Sequence, residues 1–237
     1  MQKVRFLGFD VFGTVVDWRG SVARELAPFL RRYGLTHLDP ASVADEWRAL
    51  YQPSMEPIRR GERGWTRLSV LHRENLETLL HRHLDPGRVP EVELADLTRA
   101  WERLEPWPDV VVGLARLKRR FVIGTLSNGN VSLMTWLAKW GGLPWDVIAG
   151  AEPTQSYKPQ PEAYVRSAAL LELKIEEVAL VAAHNDDLAA ARACGLRTVF
   201  IPRPTERGPG QAIDLEPNEA WDLIAEDFVA LARRLGC

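Results

Sequence analysis

Five short, mostly apolar runs set the fold class of this chain: VRFLGF (4–9), FVIGTL (121–126), WDVIA (145–149), VALVA (178–182) and RTVFI (197–201). Runs of this length and character read as strands buried on both faces. Helical patterns separate the last four, at 130–140, 161–171 and 187–194, the last stopped by Gly195. Strand alternating with helix predicts an α/β, Rossmann-like core: a parallel sheet with helices on both faces.

The first interval breaks the alternation. From 20 to 105 only helix-like stretches occur. Ser21 is an expected cap of a helix running through Arg32 and ending at Gly34. Asp39 is a second cap, with Pro40 at the first helical position. The helix after it carries Val43, Trp47, Leu50 and Tyr51 on one apolar face, with Arg48 near the edge of that stripe. Further helices are expected at 66–81 and 92–104, and Pro106-Trp107-Pro108 ends the pattern. The expected organisation is therefore a core domain of 1–19 and 106–237 with a helical cap, 20–105, inserted after the first strand. Such a cap would lie over the carboxyl ends of the strands, where open α/β sheets bind ligands. With 237 residues, 46% of them hydrophobic, the chain is long enough for a core and an insert.

Charge and cysteine usage narrow the partners. Formal net charge is -2 and both signs are mixed along the chain, so neither nucleic acid nor a charged membrane surface is expected as a partner. No apolar run approaches the roughly 18 residues that cross a bilayer. The N-terminal apolar stretch is cut by Asp10 too early for a signal peptide. Cys194 and Cys237 form no CxxC, which argues against a disulfide framework or a zinc site and for a reducing, cytoplasmic location.

Four small polar clusters follow expected strands: Asp10 to Thr14 in FDVFGT, Ser127-Asn128-Gly129, Lys158-Pro159, and His184-Asn185-Asp186-Asp187. Taken singly, an aspartate before a turn is usually a cap or a turn former. In a parallel sheet all four would meet on one rim, which points to a shared site for a small molecule.

On these motifs the chain resembles the haloacid dehalogenase superfamily, and more narrowly the L-2-haloacid dehalogenases (type II), over nearly its whole length. The resemblance assigns Asp10 as nucleophile, Thr14 as its hydroxyl partner, Ser127 as the second-motif serine, Lys158 as the third-motif lysine and Asp187 as the acid of the fourth motif. Phosphatases of the superfamily carry a second aspartate two residues after the nucleophile and an earlier magnesium-binding acid in the fourth motif. Phe12 and Ala183 stand at those positions here. Phe12 cannot protonate an alkoxide leaving group, whereas a halide needs no proton. Loss of a carboxylate at Ala183 weakens any magnesium site.

The activity so implied is hydrolysis of a short 2-haloalkanoic acid to a 2-hydroxy acid and halide through an aspartyl ester, with no cofactor and no metal. Arg48, in the tryptophan-arginine pair of EWRALY, matches the halide-side arginine, with Asn128 beside it; on spacing alone Arg48 is a solvated helix face. Ser127 and backbone N–H groups would grip the substrate carboxylate. Asp187 is the expected base for water, oriented by Lys158, which Tyr164 would orient in turn. Ala182, His184 and Asp186 depart from the family's serine, asparagine and tryptophan, and His184 is a candidate for orienting water or lining the halide side. Members of the family are often dimers, so a homodimer is expected. The rival readings are a magnesium-dependent phosphatase of the same superfamily and a relative that binds without turnover.

Overall fold

The computed structural model describes residues 1–237. In chain order its strands are β1 (Phe6–Phe9), β2 (Val16–Asp17), β3 (Glu105–Pro106), β4 (Val122–Ser127), β5 (Val147–Gly150), β6 (Val178–Ala182), β7 (Arg197–Phe200) and β8 (Leu223–Ile224). Six form one parallel sheet in the order β5-β4-β1-β6-β7-β8. The α/β class and all five expected strands are present. The sixth, β8, is two residues long and too short to register as a hydrophobic pattern.

Burial explains why β1 is central. Its side chains alternate across the sheet, as strand geometry requires. Leu7 and Phe9 enter the larger apolar cluster, with Val110, Leu114 and Phe228. Phe6 enters the other, with Tyr164, Ala168, Leu188 and Ala191. Helices therefore cover both faces: Val110–Leu117 and Phe228–Arg234 on one, Pro161–Ala169 and Asn185–Ala193 on the other. Phe9 stands opposite Thr125 and Val181, so the loops after β1, β4 and β6 emerge side by side. After β1 the chain builds β4 and β5 on one side and then crosses to β6 on the other. That topological switch at β1 is where a crevice forms at the carboxyl ends of the strands.

The interval after β1 is helical: Trp18–Arg32, Pro40–Ala49, Tyr51–Arg59, Leu68–Leu80 and Glu91–Thr98, with a 3-10 turn at Arg99–Glu102. Asp39 caps its helix as expected, accepting the Ser42 N–H at 3.0 Å. Three local expectations are corrected. The first helix begins at Trp18, and its cap is Asp17, which accepts the Gly20 N–H at 2.9 Å. Ser21 instead lies inside that helix, buried, its hydroxyl accepting the Glu105 N–H at 2.9 Å. The apolar stripe from Val43 to Tyr51 spans two helices that meet at Leu50, which stays half-buried while Val43, Trp47 and Tyr51 are buried. The helix expected at 92–104 stops at Thr98 and tightens into the 3-10 turn, which turns Trp101 into the core.

Chain entry to and exit from the helical insert run antiparallel as β2 and β3, Val16 opposite Pro106 and Asp17 opposite Glu105. Trp107 fastens the same corner: its backbone N–H donates to the Val15 carbonyl and its indole to the Gly13 carbonyl at 2.8 Å. The insert is also tied to the core further out. Tyr157 donates to the Thr66 carbonyl at 2.6 Å, Arg59 to the Lys158 carbonyl at 2.5 Å, and the Ser69 N–H to Asn130 at 3.0 Å. No helix is long and apolar enough to cross a membrane.

Candidate active site

Between insert and core lies an open cavity of about 190 Å³. The core lines it with Asp10, Phe12, Asn128, Lys158, Pro159, Tyr164, His184, Asp186, Asp187 and Arg207, and the insert with Arg48, Tyr51 and Gln52.

Asp10 follows β1 directly, its N–H donating to the Val181 carbonyl. The carboxylate is nearly buried and held from three directions. Thr14 donates its hydroxyl to Oδ2 at 2.8 Å. That donation is fixed because the same hydroxyl accepts the Ala183 N–H at 2.9 Å. Lys158 donates to Oδ1 at 2.9 Å. The His184 ring meets Oδ2 through Nδ1 at 3.1 Å. Burial alone would push the Asp10 carboxyl up; Lys158 and His184 overcome it and hold the group well below the usual carboxylate range.

Lys158 bridges two acids, Asp10 and Asp187. Burial would lower its pKa, but the two carboxylates raise it above the ordinary lysine value. Tyr164 donates to Asp187 at 2.6 Å, so the tyrosine orients Asp187 rather than the lysine expected from sequence. Burial raises the Asp187 carboxyl, and the neighbouring Asp10 charge adds to this against Lys158 and Tyr164. Asp187 sits inside the first turn of its helix, whose cap position is His184, so it is not the helix cap. Asp186 accepts the Asp187 N–H at 2.8 Å on the cavity wall.

Asn128 accepts the Lys158 backbone N–H at 2.8 Å through its carbonyl oxygen, which leaves its amide N–H₂ as a donor at the cavity. Ser127 is fully buried behind the lining residues and accepts the Gly129 N–H at 3.3 Å. Phe12 points into an aromatic box, edge-on to Trp101 at 5.7 Å and Tyr51 at 6.3 Å. Arg48 lies over Tyr51, its guanidinium carbon 3.9 Å from the ring centroid. Its Nη1 is buried with no hydrogen-bond partner, and no carboxylate pairs with it. An unpaired guanidinium facing a cavity is a ready anion site.

The loop after β7 supplies groups that the sequence reading passed over. Glu206, buried, meets His184 Nε2 at 2.9 Å and accepts the Trp18 indole N–H at 3.0 Å. Arg203 donates to the Thr14 carbonyl at 2.9 Å and grips Asp109 with both guanidinium nitrogens. Arg207 reaches the cavity rim. A signal for them existed: RPTERGPG is the polar segment after the fifth apolar run, and so a fifth cluster on the rim.

Known proteins share this architecture. The family model of haloacid dehalogenase-like hydrolases matches residues 4–195. The crystal structure of a defluorinating L-2-haloacid dehalogenase is similar at a TM-score of 0.96 and 49% identity, covering 99% of this chain and 96% of that one. A second L-2-haloacid dehalogenase structure is similar at 0.93 and 44%, covering 98% and 99%. The (S)-2-haloacid dehalogenase of Pseudomonas sp. (strain YL) is 24% identical over 216 residues, 86% of this chain and 84% of that one. The chain belongs to the haloacid dehalogenase-like hydrolase family.

Proposed function

We propose that this protein is a hydrolytic 2-haloacid dehalogenase that converts a short 2-haloalkanoic acid to a 2-hydroxy acid and halide without a metal. The observation that carries this reading is Phe12: the side chain two residues after the nucleophile is an aromatic ring packed against Trp101, with no proton to give a leaving group. Lys158 and His184 stand as cations at the Asp10 oxygens, and positions 12 and 183 offer no carboxylate to a divalent ion.

Asp10 attacks as an anion and needs no base. Thr14 and His184 both meet Oδ2, which uses up its hydrogen-bonding capacity, while Oδ1 meets Lys158 alone. Oδ1 is therefore the nucleophilic atom. The substrate is also an anion, and two unit charges about 4 Å apart repel by roughly 4 kcal/mol at an effective dielectric near 20. Lys158, Arg48 and Arg207 on the cavity wall offset that repulsion. Arg48 and the Asn128 amide receive the halide as carbon 2 transfers to Oδ1. Water then adds to the Asp10 carbonyl carbon, giving its proton to Asp187, which burial makes a stronger base than an exposed carboxylate. The bond from that carbon to Oδ1 breaks, Oδ1 leaves in the 2-hydroxyl of the product, and the proton returns to it from Asp187 along Lys158. The second water proton, left on the re-formed Asp10 carboxyl, passes to solvent and restores the carboxylate, which Lys158 and His184 favour.

The same reading places the enzyme in the cytosol as a homodimer; the exposed Trp136 and Trp140, one turn apart on a helix, offer a face for pairing. Because the relative at 49% identity is described as defluorinating, fluoroacetate belongs beside chloroacetate and L-2-chloropropionate among the first substrates to try. In a single turnover in heavy-oxygen water with chelator present, halide should be released and label should enter Asp10. Label found directly in the hydroxy acid, or loss of all turnover on chelation, would overturn the covalent or the metal-free half of the reading.

A further inference from the structure

His184 and Glu206 are not accounted for by the steps above. Both ring nitrogens of His184 face carboxylate oxygens, Asp10 Oδ2 at 3.1 Å and Glu206 Oε2 at 2.9 Å. An ionised carboxylate only accepts hydrogen bonds, so both nitrogens must donate and the ring is an imidazolium. A ring in that state cannot take a proton from water. Burial opposes its charge, and Glu206 and Asp10 together hold its pKa well above the ordinary histidine value. Lys158, Asp186, Asp187 and Arg207 share the cavity with it, but only Asp10 and Glu206 touch it.

Glu206, from the loop after β7, packs against the loop that carries Asp10. Gly13 has φ of +94°, a conformation that side chains rarely adopt, and a Cβ there would lie 2.2 Å from Glu206 Oε1. The glycine of FDVFGT thus makes the room that Glu206 fills. The Trp18 indole donates to that same Oε1 at 3.0 Å, which leaves Oε2 for His184.

Resting on the dehalogenase reading, we propose that His184 is a catalytic residue of ester hydrolysis, donating with Thr14 to the oxyanion that forms on Asp10 Oδ2, and that Glu206 is the positioning residue that keeps it an imidazolium. The timing gives Glu206 its task. In the free enzyme two carboxylates favour the charged ring. Once Oδ1 is alkylated, Asp10 is a neutral ester and Glu206 is the only carboxylate still touching it. Oδ2 is then the ester's carbonyl oxygen. When water adds to the carbon, the electron pair of that C=O moves onto Oδ2, where the Thr14 hydroxyl and the His184 N–H already point. When the bond to Oδ1 breaks, the pair returns. Donors aimed at the position of developing charge are the usual large contribution in acyl transfer.

Glu206→Gln keeps the shape and removes the charge; His184→Gln is the second variant, and circular dichroism reports folding of both. Halide release by the wild type establishes the dehalogenase reading independently. With chloroacetate each variant should release about one equivalent of halide per site in a burst at near the wild-type rate. Turnover should then be slower by about 10²-fold, the loss typical of one oxyanion donor, with a carboxymethyl adduct on Asp10 by mass spectrometry. Burst and turnover slowed equally in both variants, or turnover unchanged in both, would overturn the proposal. A merely structural role would not separate the two steps.

Discussion

Lys158 stands between the two acids proposed to carry the two steps, so its removal should be the most informative single change. In Lys158→Met a buried cation is lost whose nitrogen is 2.9 Å from Asp10 Oδ1 and in contact with Asp187. At an effective dielectric near 20, one such contact is worth about 6 kcal/mol before desolvation is counted. Removing one partner of a buried pair costs about 3–5 kcal/mol net. Asp10 and Glu206 would keep the His184 ring between them, while Asp187 would be left with Tyr164 alone. The carboxyl that takes up a proton to relieve this is Asp187, already raised by burial and deprived of the cation that opposed the rise. Turnover near neutral pH should fall by about 10²–10³-fold, the equivalent of roughly 3–4 kcal/mol, and the acid limb of the rate profile should move to higher pH. Halide release by ion chromatography over a pH series, with circular dichroism to confirm folding, reads both quantities. Turnover within a few-fold of wild type and an unmoved acid limb would refute the assignment of Lys158 as the bridge.

The wild-type pH profile should be bell-shaped. In the proposed mechanism the working form of Asp187 is the carboxylate, so kcat should rise as pH climbs through its raised pKa; the working form of His184 is the imidazolium, so kcat should fall as pH passes its own raised pKa. The stability that His184 gains from its two carboxylates is fully present below about pH 6.5 and lost as pH rises through the folded value, which thermal melts across pH can read. Arg48→Ala should raise KM and lower kcat, together costing about 10²-fold in kcat/KM, with little change in melting temperature because the guanidinium makes no ion pair. Arg203→Ala removes one side of a buried bidentate pair with Asp109 and a donor to the Thr14 carbonyl, and should destabilise by about 3–5 kcal/mol in urea unfolding.

What could be read from the sequence divides along physical lines. Strands buried on both faces leave continuous apolar runs, so β1, β4, β5, β6 and β7 were visible, and parallel pairing then placed their following loops on one rim. Asp10, Lys158, Asn128 and His184 were found that way. Interactions that depend on irregular backbone left no period to detect. Glu206 reaches His184 from a loop 22 residues further on, and nothing in RPTERGPG distinguishes a buried carboxylate from a solvated one. The helix Val110–Leu117 begins with three valines, which favour strand over helix by composition, and packing against Phe228–Arg234 overrides that preference. The break at Leu50 and the two-residue β2 and β3 are tertiary in origin: they exist because the insert must turn back onto the core.

The β2–β3 pairing has a consequence for redesign. Val16 and Asp17 face Pro106 and Glu105 across one strand spacing, about 4.8 Å. The insert therefore begins and ends at neighbouring points, and its own contribution to the cavity comes from a single stretch, Arg48 to Gln52. The groups proposed to make and break the ester all belong to the other part of the chain. The halide-side arginine and the hydrolytic machinery are thus carried on separable cassettes, with Asn128 the core's share of the halide site. Exchanging residues 18–104 for the equivalent insert of a relative should alter the insert's side of the halide site while leaving the side chains of Asp10, Lys158, His184 and Asp187 with the side-chain partners they have now, provided the new insert keeps the Trp18 contact to Glu206 and the Arg59 contact to the Lys158 carbonyl.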